Sequence, residues 1–575
     1  MESRNVRRFA GGVKPLRSIL AVTVALALVL PVAPWTARAE EPRFFAIKGA
    51  RIVTVSGAVI EGGTVVVSDG LIASVGKDAA IPAEAWVIDG AGLTVYPGLI
   101  DASTDLGMPA AAPTPGAPGA GPPTPAPATP GQQQQRSMGP EDRPATTPWL
   151  SAADEIRTTD RRLETWRNAG FTTALSAPNR GIFPGQGAVI NLAGERPGQM
   201  VVRAPATLQV TFQGSGGIGF PGSLMGIISY IKQVFLDTQH YAAAQPIYDA
   251  NPRANERLPY DRTVRVINAA LRAERPVLMP ATTPAQMMRV FHLAEQFGFK
   301  AVIVGAQESY KNADIIAGKK AAVILSAKWP EKERDADPEA EELLRVLRHR
   351  DRAPSAPAAL HKAGVKFAFY NDGITNPKDM LKNVKKSIDG GLPADAALRA
   401  FTLSAAEILG VADRLGSIET GKIANLVVTD GDIFSERTKV KHVFVDGRRF
   451  EVREAERPQE RPTVNLTGRW NLTVITPGGE QPANADFTMA GDGALTGTMS
   501  GQMGTASISK GWVSGNKFSF VFTMSVGGPP QELSCSGTME GNTIKGTITV
   551  GGQTIEFTGT KPGGTQTETE QGGAL

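Results

Sequence analysis

Cysteine and histidine are the scarce residues of this 575-residue chain, with one cysteine, Cys535, and five histidines. A single cysteine excludes an intramolecular disulfide, so the fold must be stable by core burial alone. Cys535 sits in a period-two strand pattern and reads as a small buried hydrophobe rather than a reactive thiol. The histidines, His240, His292, His349, His361 and His442, are not paired at the spacing that imidazole metal centres use. No Gly-x-Ser-x-Gly elbow occurs, which leaves Ser-His and Cys-His chemistry without sequence support. A formal charge of +4 over so long a chain creates no field of consequence. With no basic stripe present, nucleic acid is not an expected partner.

Long apolar runs are also missing. The one near the start, from about Ile19 to Val32, is shorter than the roughly 20 residues that cross a bilayer. It follows Arg4, Arg7, Arg8, Lys14 and Arg17 and precedes Ala37-Arg38-Ala39, the layout of a secretory signal peptide over residues 1–39. The expected mature chain is exported, periplasmic or extracellular, with no stable membrane span after the signal is removed.

Two strand-rich blocks, 44–97 and 412–454, flank a central region. In that region β-like runs such as Phe171-Thr172-Thr173-Ala174-Leu175, Ala301-Val302-Ile303-Val304 and Lys366-Phe367-Ala368-Phe369-Tyr370 alternate with helical segments such as Pro284 to Phe297. The alternation predicts parallel strands with crossover helices, an α/β, TIM-like (β/α)8 barrel over 98–411. Residues 108–147, rich in Pro, Ala and Gly with a Gln133 to Gln135 tract, cannot bury a core and read as an insertion after the first barrel strand. From 463 to 562 short alternating strands separated by Gly-rich turns predict a separate antiparallel all-β domain, a small barrel or sandwich. There, Trp470, Trp512 and Phe520 either pack the core or line a ligand cavity. Residues 563–575 read as a disordered tail.

The run Val95-Tyr96-Pro97-Gly98-Leu99-Ile100-Asp101-Ala102 resembles the first barrel strand of the amidohydrolase superfamily, and the middle of the chain is similar to its imidazolonepropionase-like branch. The strongest signature is Ala405-Ala406-Glu407-Ile408-Leu409-Gly410 followed by Asp413-Arg414-Leu415-Gly416-Ser417-Ile418. The resemblance implies that the flanking blocks form a split β-sandwich beside the barrel, and that the activity is hydrolysis of carbon-nitrogen bonds other than peptide bonds. It also implies histidine metal ligands at four positions, where this chain has Ser103, Asp105, Pro280 and Gly305. Asp372, in Tyr370-Asn371-Asp372-Gly373, matches the family's catalytic base. Gly181 to Val189 resembles a Gly-rich loop of the same branch, and a tight structural turn is its plainer reading.

The expectation is therefore a divergent member with a degenerate metal site, catalytically weak or inactive, and no cofactor. Its candidate mouth residues are Ser103, Asp105, Gln186, Glu308 and Tyr310. Its expected partners are a small-molecule ligand or a related amidohydrolase subunit in a homo- or hetero-oligomer. The alternative is an active hydrolase whose divalent ion is held by Asp105, Asp372, Glu308 and carbonyl oxygens, because hard cations need no imidazole.

Overall fold

A computed structural model describes residues 44–109, 143–214, 221–332, 341–452, 460–476, 479–491, 493–501, 504–525, 530–550 and 553–562. The expected signal peptide, most of the 108–147 insertion and the 563–575 tail lie outside the described residues. The chain divides into two compact units, Met1–Val452 and Arg453–Leu575. Among the described residues no helix is long and apolar enough to cross a membrane.

The first unit begins with strands β1 (Phe44–Ile52), β2 (Ile60–Ser68), β3 (Leu71–Gly76), β4 (Trp86–Asp89) and β5 (Thr94–Pro97). The barrel strands follow: β6 (Leu99–Thr104), β7 (Phe171–Ser176), β8 (Gly185–Asn191), β9 (Val201–Gln209), β10 (Val277–Ala281), β11 (Ala301–Gly305), β12 (Ala322–Ser326) and β13 (Phe367–Tyr370). The chain then returns through β14 (Leu426–Thr429), β15 (Val440–Val445) and β16 (Arg448–Glu451).

The two flanking blocks join because β14 pairs antiparallel with β5, from Leu426 against Pro97 to Thr429 against Thr94. β4 and β5 each pair with a different stretch of β1, so the ladders run through one forked eight-stranded sheet. The barrel strands lie in the order β6 to β13. Their residues are buried on both faces, which is why they read as continuous apolar runs. Leu278 of β10 packs inside with Ile100, Leu175, Val302 and Ile324, while its neighbours Val277 and Met279 pack outward under the helices.

One strand departs from the expected pattern. β8 runs antiparallel to both β7 and β9, so the barrel has seven strands in one direction and one reversed. The turn expected over Gly181 to Val189 occupies only residues 181–184, opening on left-handed Gly181 (φ +97°), and β8 begins at Gly185 (φ +146°). The helix expected from Pro284 to Phe297 is present with those bounds. Thr283 and Gln286 form a capping box at its start, proline stands in the first turn, and left-handed Gly298 ends it.

The second unit is a closed barrel of eight antiparallel strands, from Gly468–Thr476 to Gln553–Thr560, in which the last strand pairs with the first. Period-two alternation sends Trp470, Phe487, Phe518, Phe520 and Phe557 into one apolar core, while Trp512 is half-buried. The Trp470 indole Nε1 donates to the Leu466 carbonyl at 2.8 Å, which satisfies its one polar atom. Cys535 lies in this core, and burial pushes its thiol pKa up to about 12.

Two predictions follow from this packing. Gly98 links β5 to β6, and a Cβ there would stand 2.0 Å from Thr172 Oγ1, whereas one at Gly76 would meet nothing within 4 Å. Gly98→Ala is expected to lower stability by about 2 kcal/mol, within the overpacking range. Gly76→Ala should stay within about 0.5 kcal/mol of the parent in urea unfolding. Residues 460–562 expressed alone should unfold cooperatively with the midpoint they show in the full chain, checked by urea titration of both proteins.

Candidate functional site

The exits of the parallel strands converge at one end of a barrel, so side chains from separate strands can meet there. On β6, Asp101 is fully buried. Its Oδ1 accepts from the backbone N–H of Asn371 at 3.3 Å and of Ser103 at 3.4 Å, and the Asn371 side-chain amide donates to Thr104 Oγ1 at 3.0 Å. Among the described residues β6 and β13 share no backbone ladder, so these bonds connect the two ends of the barrel sheet. Burial holds the Asp101 carboxyl well above the usual carboxylate range, opposed by the two backbone donors and reinforced by Asp105. Its Oδ2 is buried without a hydrogen-bond partner.

Asp372 follows at the exit of β13, in a tight turn where Gly373 N donates to Asn371 Oδ1 and Ile374 N to the Asn371 carbonyl. Its backbone is left-handed (φ +47°), a conformation aspartate tolerates better than most residues. Ser326, the last residue of β12, donates its hydroxyl to Asp372 Oδ2 at 2.7 Å. Gln307, just past β11, donates its side-chain amide to Ser326 Oγ at 3.2 Å. Three successive strand exits are thereby tied in one chain. Burial first, and then the charge of Asp372 and a hydrogen bond to it, raise the Tyr370 phenol far above its ordinary value, so it stays protonated.

The remaining sequence-derived candidates divide. Glu308 and Tyr310 sit together in the turn after β11, where the Lys311 ammonium lies 2.7 Å from Glu308 Oε2 and 5.6 Å from the centre of the Tyr310 ring. Ser103 is half-buried on β6. Asp105 is exposed and paired with Arg162 at 2.7 Å, and Arg162 also grips Asp160. Gln186 is buried in β8 and accepts from Arg275, which precedes β10 at that strand's N-terminal end. It is therefore bonded to the end of β10 opposite its exit.

A divalent metal of the kind the fold implies does not fit these residues. Of the four positions, Gly305 offers no side chain, and its φ of +105° is one that residues with side chains rarely adopt. The Pro280 side chain has no ligating atom, and Asp105 is paired with Arg162. Among the described residues no group of three His, Cys, Asp or Glu side chains could hold a metal ion. The five histidines are dispersed: His240, His292, His349 and His361 lie on four different helices and His442 on β15.

Asp101, Ser326, Gln307 and Arg162 are the participants that sequence reading passed over. Ser326 and Gln307 stand on or just past a strand exit, so for them the position was the available signal, whereas Asp101 lies within β6 and Arg162 on a helix. Ser326 was hidden because the apolar run Ala322 to Leu325 ends one residue earlier.

Residues 329–452 match the sequence model of the amidohydrolase family. The structure is similar to that of an amidohydrolase from Thermotoga maritima MSB8, with a TM-score of 0.57 and 25% identity over 71% of this chain and 100% of that one. A Xaa-Pro dipeptidase with bound methionine aligns over 71% of this chain and 100% of its own at a TM-score of 0.43 and 16% identity. Among curated proteins, the amidohydrolase tasK of Hapsidospora irregularis is 33% identical over 95 residues, which is 16% of this chain and 10% of that protein. This chain thus spans about a tenth of the length of that relative. Residues 329–452 are thus similar to the amidohydrolase family, and the first unit shares its fold with the Thermotoga maritima amidohydrolase.

Proposed function

We propose that this protein is an exported amidohydrolase relative whose degenerate barrel mouth binds a small molecule without metal-dependent hydrolysis, acting as a binding subunit, alone or beside a related amidohydrolase. The observation that carries this reading is the state of Asp372. In the family this aspartate takes a proton from metal-bound water; here it accepts from Ser326 within the Gln307-Ser326-Asp372 chain. The residues at the four expected ligand positions supply one carboxylate, and that one is paired with Arg162. Without a metal to acidify a water, an aspartate carboxylate is a weak base toward water at neutral pH. What the mouth offers instead is hydrogen bonding: an aspartate accepting from Ser326, a protonated tyrosine, and Glu308 beside Lys311.

Elemental analysis of the purified chain, dialysed without chelator, should give Zn, Mn and Fe far below stoichiometric. Xaa-Pro dipeptides and N-acyl amides should not be turned over with or without added Zn²⁺ or Mn²⁺. One or two metal atoms per chain, with turnover abolished by Asp372→Asn, would instead establish a carboxylate-based hydrolase.

Asp101 generates a separate prediction. Its folded pKa is raised, so between the unfolded value of about 4 and that raised value the native state holds a proton the unfolded chain has released. Its contribution to stability is full below about pH 4 and is lost as pH rises through that window, at up to about 1.4 kcal/mol per pH unit. Asp101→Asn, neutral at every pH, should flatten this slope in urea midpoints measured from acid to neutral pH.

A further inference from the structure

The end of the barrel opposite the mouth carries an open groove that none of the preceding chemistry uses. Its largest part is a cavity of about 690 Å³ between the segment after β1 and the residues that lead into β13. Val53, Val55, Val59, Phe367 and Leu398 give it an apolar wall. Val55 holds a left-handed backbone (φ +67°), a genuine outlier for a β-branched residue. At the far side of this cavity, Lys366 Nζ lies 2.6 Å from Glu407 Oε2 and Arg399 donates to Glu407 Oε1 at 2.8 Å.

A second cavity of about 320 Å³ shares Val365, Lys366 and Glu407 with the first and is also lined by Lys300 and Lys320. A third, also about 320 Å³, shares Lys300 and Lys320 with the second and adds Lys319, which is paired with Glu295. Lys300 and Lys320 are exposed and have no ion pair among the described residues. The acidic side chains facing the groove are Glu407, already shared by two cations, Glu295 on Lys319, and the exposed Asp395. One end is therefore apolar and the other carries a cationic surplus.

We propose that this groove is a second ligand site, separate from the barrel mouth, for an amphiphilic carboxylate. The alkyl body lies along Val53, Val59, Phe367 and Leu398, and the carboxylate lies among Lys300, Lys320 and Lys366. The size fits: ligand pockets run from about 300 to 1,000 Å³, mostly apolar with a few placed polar groups. The chemistry also has a precedent within the groove, since Lys366 and Arg399 already hold one carboxylate between them. The site does not rest on the reading of the mouth.

Titration calorimetry of the full chain with octanoate, decanoate and decanol, below their aggregation concentrations, tests it. Decanoate is expected to bind saturably at one site, with affinity rising about fourfold per methylene from octanoate and decanol binding more weakly. The double variant Lys300→Gln, Lys320→Asn removes only exposed charge and should weaken decanoate about fivefold while leaving decanol unchanged. Val59→Glu, at an exposed position on the apolar wall, should abolish binding of both. Absence of saturable binding, equal affinity for decanoate and decanol, or unchanged decanoate binding in both variants would overturn the proposal. The last result would place the ligand elsewhere, for instance in the second unit.

Discussion

The barrel is closed by side chains rather than by a ladder. Where β13 meets β6, the Asp101 carboxyl accepts from the Asn371 N–H and the Asn371 side-chain amide donates to Thr104 Oγ1, doing the work that backbone pairing does between every other pair of neighbours among the described residues. A carboxyl in so dry a place is costly when ionised. Holding it neutral removes most of that cost and leaves one oxygen without a partner. Asn371, held in this seam, fixes the turn that presents Asp372, so the mouth inherits its geometry from the closure. The polar chain through Ser326 and Gln307 then spreads that constraint across three strand exits.

How much of this the sequence carried depends on whether a feature is local or relational. Strands β10 to β13 and the helix Pro284–Phe297 were legible because burial on both faces, or on one stripe, writes itself as a run or a period. The capping box and terminal glycine even set the helix ends. The reversed β8 was not legible. Two glycines spaced by one residue read as a turn, and only neighbouring strands reveal that Gly187 is small because Thr207 and Leu175 crowd it. The closure was equally hidden: Asp101 and Asn371 are 270 positions apart, and nothing in either stretch signals the other. In the second unit, alternation announced the strands but not that the last would pair with the first.

That second unit is a barrel of a different kind, with its interior filled. Phe518 and Phe520 stack with ring centres 6.1 Å apart, and Phe487 meets Phe520 edge-on at 5.3 Å. Trp470 and Phe520, candidates for lining a ligand cavity, are fully buried among these rings. Burial of this many aromatic groups explains how a unit without disulfides holds together.

The left-handed backbone at Gly305 sets a limit on what can be built at this mouth. Adding a ligating side chain to a strand exit ordinarily takes one substitution, because the main chain already presents that position. At Gly305 the main chain holds φ +105°, a conformation that residues with side chains rarely adopt, and its partner across the ladder is Ala281, the residue after Pro280. A histidine or carboxylate placed there would need the backbone to change before the side chain could help, so new chemistry at this end of the barrel is more readily built around Ser326 and Asp372 than on this strand.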